Sequence, residues 1–308
     1  MWESIIPKVI LKRALQLSFV HRLYLIARSC IYCGVKLVRG YPRFSEFKRT
    51  ICSKNTNMSL LQGKTVAITG AATGIGRALA IGLHKHGANV AINFMHGQED
   101  LVDELRTLVP GLLAVPGDIS KPETAEDLIK QTVQTFGELN IFVSNAGVCK
   151  FEKFTDIDYE LYRRTVSVNL DGAFFATQAA AKAMISQGKG GSIIGISSIS
   201  ALVGGGLQTH YTPTKAGILS LMQSTACALG EHGIRCNAVL PGTIRTQLNE
   251  QDLKNPDKKA YMESRIPLGR LGSPDDLVGP VVFLASELSS YVTGAQILVD
   301  GGLFVNLQ

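Results

Sequence analysis

Thr65-Val66-Ala67-Ile68-Thr69-Gly70-Ala71-Ala72-Thr73-Gly74-Ile75-Gly76 is the stretch on which the fold turns. Its first five residues are β-branched or small and mostly apolar, the pattern of a buried strand. The next seven carry glycine at 70, 74 and 76 and lead into the helix-forming run that follows. A strand-to-helix turn needs glycine where the backbone must reach positive φ and where a bulky anion must approach the main chain. The helix that follows then offers free N–H groups and a positive dipole end to that anion. A glycine-rich turn by itself has a purely structural reading. Placed after the first strand of a βαβ unit, residues Gly70, Thr73, Gly74, Ile75 and Gly76 become candidates to cradle a dinucleotide pyrophosphate.

Outward from this turn, short β-rich runs alternate with longer helical ones. The predicted strands are TVAIT, NVAINF, LLAVPGD, NIFVSNAG, SIIGISS, IRCNAVLPG and AQILVDGG. Between them the pattern predicts helices over 76–86, up to 108, over 122–136, a long one over 159–187, and others over 211–230 and 275–286. Strands that are apolar throughout, separated by amphipathic helices, specify a parallel sheet covered on both faces. Right-handed crossovers then give an α/β, Rossmann-type doubly wound sheet in one domain over 58–308, its ligand crevice at the strand carboxyl ends. No internal repeat or low-complexity segment competes with this reading.

Charge divides the chain. Of 31 Lys/Arg and 25 Asp/Glu, 11 and 2 precede Met58, which leaves 20 and 23 for the rest. The body is mildly acidic, which argues against nucleic acid as a partner. Residues 1–57 are basic and interrupted by Arg22 and Arg28, so they lack the run of about 18 uncharged apolar residues needed to span a bilayer. Three readings of this extension stand: a mitochondrial transit segment, an interfacial membrane anchor, or an over-extended gene model. The last is preferred, since a complete domain begins at Ser59-Leu60, and a cytoplasmic enzyme is then expected. Cys149, Cys227 and Cys236 are too widely spaced to pair as metal ligands and read as free thiols of a reducing compartment. Cys30 and Cys33 lack a second ligand pair, and the histidines show no metal-like spacing, so no metal is expected.

The sharpest chemical signal is Tyr211 with Lys215. Four residues apart on a helix, they share one face. A free phenol is a poor base near neutral pH, but an ammonium beside it stabilises phenolate. Tyr211 can then exchange a proton with a substrate oxygen while hydride moves to or from a nicotinamide. Ser198, at the mouth of the fifth strand, is placed to hydrogen-bond the same oxygen. Tyr-x-x-x-Lys alone is common; Ser198 upstream, Asn145-Ala146-Gly147 closing the fourth strand and Asn169 in the following helix make it a constellation. Hydrolase chemistry is excluded, because Gly195-Ile196-Ser197-Ser198-Ile199 lacks the final glycine of a nucleophile elbow. The second strand ends Asn93-Phe94-Met95-His96, without the acid that would hold a ribose 2′-hydroxyl and repel a 2′-phosphate. Either NADP or NAD is therefore accommodated, with a lean to NADP. Asp118, ending the third strand, either meets the adenine edge or caps the helix beside Ile119-Ser120.

The glycine turn, Asp118, Asn145-Ala146-Gly147, Asn169, Ser198, Tyr211, Lys215 and Pro241-Gly242 together resemble the short-chain dehydrogenase/reductase family over 60–308. The resemblance implies that Tyr211 is the general acid/base and that Ser198 orients the substrate. It further implies that Lys215 holds the nicotinamide ribose and that Asn169 positions a water in a proton relay. Asn145 and Gly147 fall in the implied cofactor site, and Ile244 and Thr246 would contact the carboxamide and phosphates. Thr73 stands where NADP-preferring members often carry a basic residue, which softens the NADP lean. Further similarity within the family, over 188–205, 209–230, 233–244, 265–270 and 300–308, implies oxidation of the anomeric hydroxyl of L-rhamnose or a related aldose. A 3-oxoacyl or steroid-type carbonyl substrate is the alternative. For a sugar, Ser200 and Gln208 are candidate pocket residues, their other reading being loop capping. His210 either lines the pocket or is a packed or exposed loop residue. Residues 247–270 read as a mobile flap over the substrate. The resemblance also implies a homotetramer, with the helices over 159–187 and 211–230 packed between subunits.

Overall fold

The computed structural model describes residues 59–247, 250 and 254–306, so every reading of residues 1–57 lies outside the described residues. Seven strands form one sheet in the order β3-β2-β1-β4-β5-β6-β7, and every pair is parallel. They are β1 (Thr65–Ile68), β2 (Asn89–Phe94), β3 (Leu113–Pro116), β4 (Ile141–Ser144), β5 (Gly191–Ile196), β6 (Ile234–Pro241) and β7 (Gln296–Val299). The order reverses between β1 and β4, the switch point at which loops diverge and leave a crevice above the strand carboxyl ends.

Successive side chains of each strand feed two separate cores. Val66, Ile68, Ile92, Ile141, Val143, Ile194 and Val239 belong to one cluster. Their neighbours Ala67, Ala91, Phe142, Ile193, Ala238 and Leu240 belong to the other. The first is covered by α1 (Gly74–Lys85), α2 (Glu99–Leu108) and α8 (Val278–Ala285), through residues such as Leu79, Leu83, Leu105 and Leu284. The second is covered by α3 (Pro122–Phe136), α5 (Gly172–Gln187) and α6 (Thr212–Leu229), through Leu128, Met184 and Met222. Burial on both faces explains why these strands read as continuous apolar runs instead of alternating ones.

The long helix expected over 159–187 is broken in its backbone pairing. It begins as α4 (Tyr159–Val166), widens into a π-turn over Ser167–Asp171, and resumes as α5. The apolar periodicity carries through this single-turn widening, so the pattern alone did not reveal it. The expected flap contains α7 (Pro256–Ser264), whose Asn255 side chain accepts from the N–H groups of Asp257 and Lys258. Residues 248, 249 and 251–253 of that segment lie outside the described residues.

Candidate active site

The glycine turn is built by three polar residues that enter it from neighbouring strands. The Thr69 hydroxyl accepts from the N–H groups of Asn145 and Ala146, 3.0 Å each. The Asn145 amide returns two bonds, to the carbonyls of Thr69 at 2.9 Å and Gly70 at 3.0 Å. Asn93, buried within β2, accepts from Gly70 N–H through its side chain and from Ala71 N–H through its carbonyl. It donates to the Gly117 carbonyl at 3.0 Å. Gly70 sits at φ +62°, and a Cβ there would lie 2.8 Å from the Ala146 Cα. Gly76 is equally constrained: a Cβ would stand 2.6 Å from both the Asn145 amide nitrogen and the Gly70 carbonyl. At the start of α1 no side chain caps the helix and no acid lies in its first turn. Thr73, Gly74 and Ile75 thus present a helix N-terminus suited to a pyrophosphate. Thr246 lies beside Gly74, and Ile244 is buried and bridges to Gly272. A cleft of about 410 Å³ opens there between Thr73, Gly74, Arg77, Arg245, Thr246 and Gln247.

Asp118 does not cap α3. The first cap of α3 is Lys121, without a side-chain bond. Asp118 instead accepts from Ser120 N–H at 3.0 Å, closing a turn, and pairs with Arg164 of α4 at 2.6 Å. Partial burial pushes its carboxyl pKa up, but the Arg164 and Ser120 bonds outweigh it and hold the pKa below the ordinary carboxylate range. The carboxylate stays 30% exposed.

At the ends of β5 and α6 the catalytic candidates converge. Tyr211 is the cap residue of α6 with helical backbone angles, and the Lys215 N–H bonds to its carbonyl at 3.2 Å. That bond realises the four-residue spacing and puts the Lys215 ammonium 5.6 Å from the centre of the Tyr211 ring. The Lys215 ammonium donates to the Ile196 carbonyl at 3.0 Å, while the Ser197 hydroxyl donates to the Lys215 carbonyl at 2.7 Å. The start of α6 is thus pinned twice to the end of β5. Ser198, in extended backbone, accepts from Ser200 N–H at 3.0 Å and lies close enough to the Tyr211 phenol to lower its pKa. Burial dominates both ionisable groups. It pushes the Tyr211 phenol well up, with Ser198 pulling it back, and it brings the Lys215 ammonium down to about 8. Tyr211 keeps an exposed edge toward the crevice, whereas Lys215 is 4% exposed.

Asn169 occupies the centre of the π-turn and is fully buried. Its side chain accepts from Val148 N–H at 2.8 Å, donates to the Val148 carbonyl at 2.9 Å, and donates to the Thr214 hydroxyl at 3.2 Å. Gly147 lies between Asn169 and the ammonium, where a Cβ would stand 3.3 Å from Lys215 Nζ. Ser200 is in the short helical turn Ile199–Ala201. Gln208 caps the approach to α6, its carbonyl accepting from Tyr211 and Thr212 N–H, and its amide donates to the Cys149 sulfur at 3.5 Å. His210 is buried, with neither ring nitrogen hydrogen-bonded among the described residues, so it is a packed residue. Sequence reasoning passed over Thr69, Asn93, Ser197 and Cys149. Thr69 and Asn93 carried a usable signal, being polar residues inside otherwise apolar strands. Cys149 carried one too, following Asn145-Ala146-Gly147 at a strand carboxyl end. Among the described residues no group of His, Cys, Asp and Glu could hold a metal, and no helix is long and apolar enough to cross a membrane.

A doubly wound parallel sheet with an uncapped glycine turn at its switch point, and a tyrosine–lysine pair beside it, defines a dinucleotide-dependent oxidoreductase. Residues 70–304 match the family model described as enoyl-(acyl carrier protein) reductase. L-rhamnose-1-dehydrogenase of Scheffersomyces stipitis is 63% identical over 255 residues, 81% of this chain and 99% of that protein. L-rhamnose 1-dehydrogenase (NAD(P)(+)) of a Sphingomonas species is 59% identical, over 82% of this chain and all of that protein. Among solved structures, a gluconate 5-dehydrogenase from Burkholderia cenocepacia in complex with NADP and tartrate superposes with a TM-score of 0.76. It is 30% identical and covers 81% of this chain and 98% of its own. The chain belongs to the short-chain dehydrogenase/reductase family.

Proposed function

We propose that this enzyme oxidises the anomeric hydroxyl of L-rhamnose to the lactone, using NADP or NAD. The observation that carries this reading is the 63% identity to a relative named for that reaction, spanning 99% of its length. The site fits the cofactor: the uncapped start of α1 and the close approach at Gly76 suit a pyrophosphate, with Thr246 alongside. Gly70, Thr73, Gly74, Ile75 and Gly76 would hold the phosphates, Asp118 the adenine edge, and Asn145, Gly147, Ile244 and Thr246 the remainder. When bound, an oxidised nicotinamide supplies the hydride acceptor and a positive charge beside the phenol.

The protein's own residues handle the proton. Tyr211, as phenolate, takes the proton of the C1 hydroxyl as the C1 hydride departs. The Ser198 hydroxyl, close beside the phenol, holds the same substrate oxygen. Lys215 works against burial: its ammonium favours phenolate over phenol, and it would hold the nicotinamide ribose. The Asn169 side chain is spent on Val148 and Thr214. Its part in a proton relay therefore belongs to its backbone carbonyl, set in the π-turn. Ser200 and Gln208 supply polar contacts to the ring hydroxyls. The enzyme works as a cytoplasmic homotetramer through the helices over 159–187 and 211–230, with a sugar and not a nucleic acid as its partner.

Purified protein incubated with L-rhamnose should reduce NADP or NAD and release a lactone. No reduced nicotinamide with either cofactor would sink the reading. The acyl-directed description of the matching family model favours a second reading, a 3-oxoacyl or steroid-type carbonyl reductase. Oxidation of NADPH or NADH by a 3-oxoacyl thioester, without turnover of aldoses, would decide for it.

A further inference from the structure

Two loops meet beside the catalytic groups. The first leaves β4 through Gly147, Val148 and Cys149; the second runs from Ser198 to Gln208 and delivers Tyr211. Their direct links include the Gln208 amide to the Cys149 sulfur, at 3.5 Å, and Glu152 N–H to the Leu207 carbonyl, at 3.0 Å. Cys149 is held rigidly from behind, since both backbone groups of Val148 are bonded by the buried Asn169. It also lies near enough to Tyr211 and Lys215 to influence the ionisation of both. Apart from that amide bond, Gln208 is held through its backbone, by Gly205 before it and Tyr211 and Thr212 after it. Its carboxamide therefore depends on side-chain contacts for its orientation. Its Oε1 folds over Gly205, where a Cβ would stand only 2.7 Å away.

We propose that Cys149 is a positioning residue: its sulfur accepts one Gln208 amide proton and so presents the rest of that carboxamide to the hydroxyls of the sugar. The proposal rests on the reading of the site as sugar-oxidising. A thiol sulfur is a weak acceptor and its S–H a weak donor, so it takes an amide proton while competing poorly with a sugar hydroxyl for the carbonyl oxygen. Loss of one neutral hydrogen bond is worth about a three- to tenfold change in an equilibrium constant.

Cys149→Ala should raise KM for L-rhamnose by about that factor, with kcat and the cofactor KM changed less than about twofold. Cys149→Ser, which keeps a small acceptor, should restore most of the loss. Gly205→Ala, which displaces the carboxamide from the other side, should reproduce it. Cys149→Ala combined with Gln208→Ala should be no worse than Gln208→Ala alone. An unchanged KM in Cys149→Ala, a fall confined to kcat, or additive effects in the double variant would overturn the proposal. A second readout is independent of the substrate. Gln208→Ala should speed alkylation of Cys149 by iodoacetamide, followed by mass spectrometry; equal rates would break the link. A wild-type enzyme inactive on L-rhamnose would instead sink the substrate reading, and the alkylation rates would still test the contact.

Discussion

The phenol of Tyr211 and the ammonium of Lys215 are in tension at the scale of single residues. Spacing alone led us to expect that the ammonium holds the phenol low. In the folded chain burial acts on both, pushing the phenol up and the ammonium down to about 8. The spacing was legible in the sequence, but burial depends on elements far away along the chain. Tyr211→Phe removes the proton acceptor and leaves the cofactor contacts standing. Turnover should fall by about two to four orders of magnitude, while NADPH binding, measured by fluorescence titration, stays near the wild-type value. Lys215 supports a linkage prediction. Its folded pKa lies below the unfolded 10.5, so between about pH 8 and 10.5 the unfolded chain binds the extra proton. Stability therefore rises with pH through that window, and below it the buried ammonium costs on the order of 3 kcal/mol. Lys215→Met should abolish activity yet raise the Tm at pH 7, and that gain should shrink as the pH approaches 10. A Tm difference that does not vary with pH would count against it.

At the scale of elements, the glycine turn and the start of α6 decide whether the site exists. The strand–glycine–helix succession was readable at once, because glycine spacing and apolar runs are local properties. What holds the turn was not, since Thr69 works on residues 76 and 77 positions away. Thr69→Val should leave the N–H groups of Asn145 and Ala146 without that acceptor inside the fold. The expected cost is about 2 kcal/mol or more of unfolding free energy in urea, with a raised KM for the cofactor. An unchanged midpoint and KM would show that the hydroxyl carries no such weight. The π-turn at Ser167–Asp171 was equally silent, because one widened turn leaves the helical apolar pattern nearly intact. Its consequence is to seat Asn169 against Val148 and Thr214, joining the ends of β4 and α6.

At the scale of the domain, the described residues form a sheet with two cores and an outer surface that is not uniformly polar. Phe174 and Phe175 on α5 remain 45% and 39% exposed and stack edge to face. Large apolar groups in such a position suit a subunit interface of the proposed tetramer. Phe174→Glu with Phe175→Glu should convert the assembly to smaller species by light scattering coupled to size-exclusion chromatography. A wild-type protein that already runs as a monomer would refute the arrangement. By itself the sequence determined the parallel α/β sheet, the glycine turn and the Tyr211–Lys215–Ser198 set, because period, apolar runs and helical spacing are written along the chain. Only the tertiary structure decided that Asp118 pairs with Arg164, that Asn93 and Thr69 brace the cofactor turn, and that Cys149 meets Gln208. Those contacts join segments tens of residues apart, and their partners are chosen by how the crossovers stack the strands, which no local pattern encodes.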